Sequence, residues 1–246
     1  MYIYKYLTFT QFIDMVESQR LYLTRISEWE DVYEAIGLKK VVSQTMKTLA
    51  PPFVPEMMGD ELLVALDKIE YYSYYAQSWT SSEKESDAMW RIYSPQREGV
   101  RIKMKVDLIE QNMKKAFKEI HSNMPLYHSS VVYRNDNLGP INVKREAFNH
   151  EEEYRFWTVL QMGSFSQPPE KPFVNEIDSF IHYLDKCYRE NPKTIYYPVT
   201  KDMIEEVTLD PRAAFYHEQT FNNYCNNRKL KKGIFSKSTL YTEMKE

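Results

Sequence analysis

Glycine is scarce in this chain of 246 residues, at six in all. So few exclude collagen-like and propeller architectures and glycine-loop phosphate sites, all of which need glycine at fixed intervals. Cysteine is scarcer, at two: Cys187 and Cys225. Two thiols without CxxC spacing make neither a disulfide framework nor a zinc site, and they fit a reducing cytosolic setting. No apolar run nears the roughly 20 residues of a membrane span. The start, Met1-Tyr2-Ile3-Tyr4-Lys5, lacks the basic-then-apolar pattern of a secretory signal. The expected location is therefore the cytoplasm, away from membranes. Charge of one sign is missing too: the net charge is -3. No global field draws the protein onto nucleic acid, so such a partner would need a local patch. GxGxxG, Walker, HExxH and GxSxG motifs are absent. The five histidines, His121, His128, His150, His182 and His217, sit on no metal-ligand spacing, and no metal is expected.

Aromatics, by contrast, are plentiful at 15%, with 20 tyrosines. With 43% hydrophobic and 27% charged residues, the chain has the composition of a globular protein and not of a disordered one. Its length allows one large domain or two small ones.

Residues 1–7 read as a strand. Thr8-Phe9-Thr10-Gln11 is a capping box, and Phe9, Phe12, Ile13 and Val16 follow at helical spacing, predicting a helix over 9–19. A short strand holds Leu21 and Leu23. Pro51, Pro52 and Pro55 place 41–58 in a loop excursion outside the sheet. A helix is expected from Asp60, a strand over 71–79 and a short helix from Asp87. Residues 99–106 alternate, with Val100, Ile102, Met104 and Val106 on one face and Arg101, Lys103 and Lys105 on the other. Asp107 opens the next helix. Strands are expected at 131–133, 154–160, 194–199 and 205–209, helices from Asn175 and from Asp210-Pro211, and a last strand within 233–241. Strands and helices come in irregular order with no repeat and no linker. The expected fold is α+β: a single domain, 1–246, with a mixed or mostly antiparallel sheet and flanking helices.

Three clusters carry chemistry. The first is Ser27-Glu28-Trp29-Glu30-Asp31-Val32-Tyr33-Glu34, where carboxylates beside aromatics form either a polar pocket wall or a solvated loop. The second is Asp87-Ala88-Met89-Trp90-Arg91-Ile92-Tyr93, ahead of Gly99. Helical spacing gathers Met89, Trp90 and Tyr93, with Trp90 expected in the core and Tyr93 at a cleft, and a plain core helix as the alternative. The third is Glu151-Glu152-Glu153-Tyr154-Arg155-Phe156-Trp157. Alternation puts Glu151, Glu153, Arg155 and Trp157 on one face, as a site or as a surface Glu/Arg ladder. Three acids opening a strand are poor strand formers, and such local conflicts mark functional positions. Arg155 is expected to pair with a carboxylate.

In this order the clusters resemble a widespread bacterial family of unknown function. Its pattern runs S-P-S-x-F-N-D-P-F-E, then M-W-x-x-Y-A…G-V-C-I, then W-x-Y-E-K-E-Y-R, and late I-L-G-P-x-A. The chain matches it with Ile26 to Glu34, with Met89-Trp90-Arg91-Ile92-Tyr93 and Gly99-Val100-Arg101-Ile102, with Phe148 to Arg155, and with Val207-Thr208-Leu209-Asp210-Pro211-Arg212-Ala213. Glu30 replaces the family Asn, Val32 a Pro and Asp210 a Gly. The layout is also similar to ADP-ribosyltransferase-type folds, a class that includes DNA-modifying bacterial toxins. That likeness implies NAD as cofactor. It implies Lys5 or Tyr6 at the first-strand position (usually His or Arg), Tyr93 or Trp90 at the aromatic position, and Glu153 as the carboxylate, with Glu151 as its fallback. Ser27, Trp29, Asp31, Glu34 and Arg155 complete the implied NAD site.

The expected function is thus a nucleotide-handling, ADP-ribosyltransferase-like enzyme of bacterial defence or toxin systems, with a nucleic acid or protein as possible acceptor. A non-enzymatic nucleotide- or partner-binding module and a metal-dependent nuclease built on Glu28, Glu30, Asp31 and Glu34 are the alternatives.

Overall fold

The computed structural model describes residues 1–29, 73–120, 124–135, 141–160, 186, 191–231 and 233–242. The expectations for 41–58, for the helices from Asp60 and Asn175, and for Asp31 and Glu34 lie outside the described residues. Within them the fold is α+β.

The chain begins with β1 (Tyr2–Leu7), α1 (Phe9–Ser18) and β2 (Arg20–Arg25). The capping box forms as the sequence predicts: the Thr8 side chain accepts from Gln11 N while the Gln11 side chain accepts from Thr8 N. After the acidic segment come β3 (Tyr74–Thr80), α2 (Asp87–Tyr93), β4 (Val100–Lys105) and α3 (Val106–Ile120). Then follow β5 (Leu126–Ser130), β6 (Val132–Arg134), β7 (Val143–Arg145), β8 (Glu153–Val159), β9 (Thr194–Pro198), β10 (Ile204–Leu209), α4 (Phe215–Asn227) and β11 (Phe235–Lys237).

Among the described residues nine strands form one mixed sheet in the path β11-β10-β4-β1-β3-β2-β9, with β8 and β5 continuing from β3, while β6 and β7 pair separately. Most pairings are antiparallel; β10–β11 is parallel. One face carries α1, α3 and α4, while Met89 and Trp90 of α2 pack separately with Tyr6. Phe12 and Met15 of α1, Ile109, Met113 and Phe117 of α3, and Phe221 and Cys225 of α4 pack on Ile3, Ile102, Met104 and Val207. Burial pushes the Cys225 thiol up to about 12, so it is an inert packing group.

The helix expected from Asp210-Pro211 does not form there: α4 starts at Phe215. Asp210 is fully buried instead. It accepts from Arg212 N, Nε and Nη2, and that guanidinium donates onward to Trp90 O (2.8 Å) and Ser94 O (3.0 Å). The strong pull of the charge pair outweighs the proline-first helix signal. Asp210 N also donates to Gly99 O, so the second and last motifs form one joint that closes the C-terminal end of α2.

Gly99 is required there by close approach. A Cβ would meet Ser94 Cβ at 2.7 Å and Leu7 O at 2.9 Å. Gly99→Ala is expected to destabilise the protein by about 1–3 kcal/mol through overpacking, measurable as a lower denaturant midpoint with unchanged m-value.

Candidate functional site

The site starts from an interruption in the sheet. β8 pairs with β3 along its whole length, from Tyr74↔Val159 to Thr80↔Glu153. A strand has two edges, so β1 and β2 must share the other. β1 holds only Thr80, through Tyr4, and β2 holds Tyr75 and Ala76, through Arg25 and Thr24. Between them Gln77, Ser78 and Trp79 have no ladder partner on that edge, because the two strands diverge around α1. Lys5 reaches into the gap and its Nζ donates to Ser78 O (2.7 Å), meeting a carbonyl that strand pairing leaves unused.

A cleft of about 370 Å³ opens at this split. Lys5, Tyr6, Tyr22, Trp29, Ser78 and Tyr93 are among its walls. A smaller chamber of about 50 Å³ adjoins it, shares Lys5, Tyr6, Ser78 and Tyr93, and reaches Glu151 and Glu153. The structure therefore brings parts of all three sequence clusters to one place.

β8 alternates as its sequence predicts. Tyr154 and Phe156 enter the main core, while Glu153 and Arg155 turn to the opposite face. Arg155 is fully buried and donates from Nε to Glu153 Oε1 at 2.6 Å. Its guanidinium also lies 4.9 Å from the Trp29 ring, which ties the first cluster to the third. Lys144 of β7 donates to Glu153 Oε2 (3.2 Å) and Glu151 Oε2 (2.6 Å). Burial works against the Glu153 charge, but Arg155, then Lys144, and the Ser78 hydrogen bond outweigh it and hold the carboxyl at about 2.

Glu151 is not on the strand. It ends a 3-10 turn over 146–151, and Glu152 then takes a left-handed conformation (φ 42°). The expected Glu151-Glu153 strand step is thus a turn, and Lys144 is what gathers the two carboxylates.

The second cluster divides as α2 dictates. Trp90 is 0% exposed and Tyr93 38%. Trp90 Nε1 donates to Glu85 Oε2 (2.8 Å). Tyr6 packs edge-on to Trp90, with ring centroids 4.8 Å apart, and stacks with Tyr93 at 6.2 Å. Trp90 is therefore a core residue that props Tyr6, and Tyr93 stands on the cleft wall.

Of the first cluster, Trp29 lines the cleft while Ser27 and Glu28 do not. Glu28 pairs with Lys193 (2.8 Å) and Arg25 (3.1 Å). Hydrogen bonds first from Lys193 and then from Arg25 lower its pKa. Sequence reasoning missed Arg20 and Tyr22, both on the cleft wall. The alternation of Arg20, Tyr22 and Thr24 with buried Leu21 and Leu23 was the signal that could have found them.

Burial lowers the Lys5 pKa from its ordinary value to about 8, with Glu153 opposing the shift. The ammonium is charged at neutral pH and discharges as pH rises through about 8. An anionic ligand of this cleft is therefore expected to bind progressively more weakly from pH 7 to pH 9, as titration calorimetry at stepped pH would record.

No helix among the described residues is long and apolar enough to cross a membrane. Compared with protein-family models, with curated proteins and with solved structures, the chain matches none.

Proposed function

We propose that the protein is a nucleotide-handling enzyme of the ADP-ribosyltransferase type, with the cleft between β1 and β2 as the site for an NAD substrate. One observation carries this reading. The strand split opens an aromatic-walled cleft that holds a cation, Lys5, and adjoins a chamber with a buried carboxylate, Glu153. The cleft volume falls within the roughly 300–1,000 Å³ of small-molecule sites. Tyr6 and Tyr93 offer ring faces to a planar base. Lys5 offers charge to a phosphate.

The reaction would cleave the bond from nicotinamide to ribose, leaving positive charge on the sugar. Glu153 and Glu151 are the carboxylates of the adjoining chamber, and their fixed negative charge would favour that state. Arg155 holds Glu153 in place and does not itself line the cleft. The acceptor would be a nucleic-acid base, a protein side chain or water, as suits a bacterial defence or toxin protein.

A second reading, a nucleotide-binding module without turnover, is favoured by one observation. Both Glu153 oxygens already accept from cations, which reduces the field that reaches a substrate. Of the carboxylates of the nuclease alternative, Glu30, Asp31 and Glu34 lie outside the described residues, and Glu28 is paired with Lys193 and Arg25.

Incubation with NAD, with and without nucleic acid, separates the two readings by release of free nicotinamide. Release that falls at least about tenfold in Tyr93→Ala supports the enzyme. Calorimetric binding of NAD without release selects the module. Neither binding nor release refutes both.

A further inference from the structure

Arg20 stands on the cleft wall and is exposed. It opens β2 and lies opposite Pro198 of β9, two positions from the cross-strand pair Tyr22↔Tyr196. Its guanidinium stands 4.2 Å from the Tyr196 ring centroid, and the Tyr196 ring meets Tyr22 edge-on at 5.8 Å. Among the described residues it has no carboxylate within ion-pair distance and no hydrogen-bond acceptor. The other arginines around the cleft differ. Arg155 is committed to Glu153, and Arg101 donates to Ser82 O and Glu83 O. Arg20 is thus held by ring stacking, which leaves its planar fork of five N–H donors unused. Arg20 and Tyr22 also line the cleft, as does Tyr93.

We infer that Arg20 is a phosphate-recognising residue of the cleft beside Lys5, and that the ligand it selects is a phosphorylated nucleotide and not a nucleoside. The inference rests on the proposed nucleotide reading for the base, and on Arg20 itself for the anion. A guanidinium fixed on an aromatic face matches two phosphoryl oxygens at once and loses little freedom on binding. Tyr22 and Tyr196 are the ring platform that sets its direction.

The test measures binding of adenosine, AMP and inorganic pyrophosphate by calorimetry to the wild type, Arg20→Met and Arg20→Lys. Arg20 is exposed, so each variant is expected to keep the wild-type Tm. The expected result is at least a tenfold loss of AMP and pyrophosphate affinity in Arg20→Met, a smaller loss in Arg20→Lys, and unchanged adenosine binding. Pyrophosphate binding that depends on Arg20, with no binding of either adenosine compound, keeps the anion site and refutes the nucleotide reading. Equal losses for adenosine and AMP, or AMP and pyrophosphate affinities that ignore the substitution, overturn the role of Arg20. So does an absence of pyrophosphate and AMP binding by the wild type.

Discussion

Glu153→Gln is expected to destabilise the protein by about 3–5 kcal/mol, the range for breaking a buried ion pair by removing one partner. Arg155 is 0% exposed and the Lys144 side chain 9%, so losing the carboxylate removes a counter-charge that both share, with Lys144 keeping its pair with Glu151 (2.6 Å). Glutamine keeps the shape and can still accept a hydrogen bond, but it supplies no charge. Acid titration gives an independent check. The folded carboxyl titrates at about 2, below its ordinary value, so its stabilisation is complete above about pH 5 and is lost as pH falls through the folded pKa. The size is on the order of 3 kcal/mol. The wild type should therefore lose stability between pH 5 and pH 2 more steeply than the variant. Equal stability of Glu153→Gln and wild type at pH 7, in urea denaturation, would contradict this role of the buried carboxylate.

Trp90→Ala is expected to cost about 3–5 kcal/mol, while Tyr93→Ala should cost under about 1 kcal/mol, as ordinary surface positions do outside ±0.5 only when packed. Trp90 fills a buried space against Tyr6 and Met89 and satisfies Glu85 through its indole N–H. Its removal leaves both a cavity and an unpaired acceptor. Tyr93, at 38% exposure, gives up its stacking on Tyr6 and leaves no buried cavity. The same two residues, three apart on one short helix, should then separate stability from binding: Trp90→Ala lowers Tm, and Tyr93→Ala lowers ligand affinity at near-normal Tm. Equal melting losses would place both in the core and remove Tyr93 from the site.

Much of this architecture was legible in the residues. The capping box before α1, the alternation of β4 and the opposed faces of β8 are local patterns, and each forms as its period dictates. The pairing of Arg155 was legible as well, since a guanidinium on a strand face beside a carboxylate is costly to bury alone. What was not legible is non-local. Nothing in Val143-Lys144-Arg145 announces that a three-residue strand delivers Lys144 to Glu151 and Glu153. Asp210-Pro211 carries the mark of a helix start, yet Arg212 spends that aspartate on closing α2. The cleft itself arises because β1 and β2 compete for one edge of β3, a fact of strand order that no single segment encodes.

The central claim is that the cleft at this split is where a nucleotide binds. Backbone amide chemical shifts recorded during titration with AMP test it most directly. The account predicts saturable shifts confined to Lys5, Tyr6, Arg20, Tyr22, Ser78, Trp29 and Tyr93, reduced in Tyr93→Ala. Saturable shifts clustered elsewhere, or none at millimolar AMP, would contradict it.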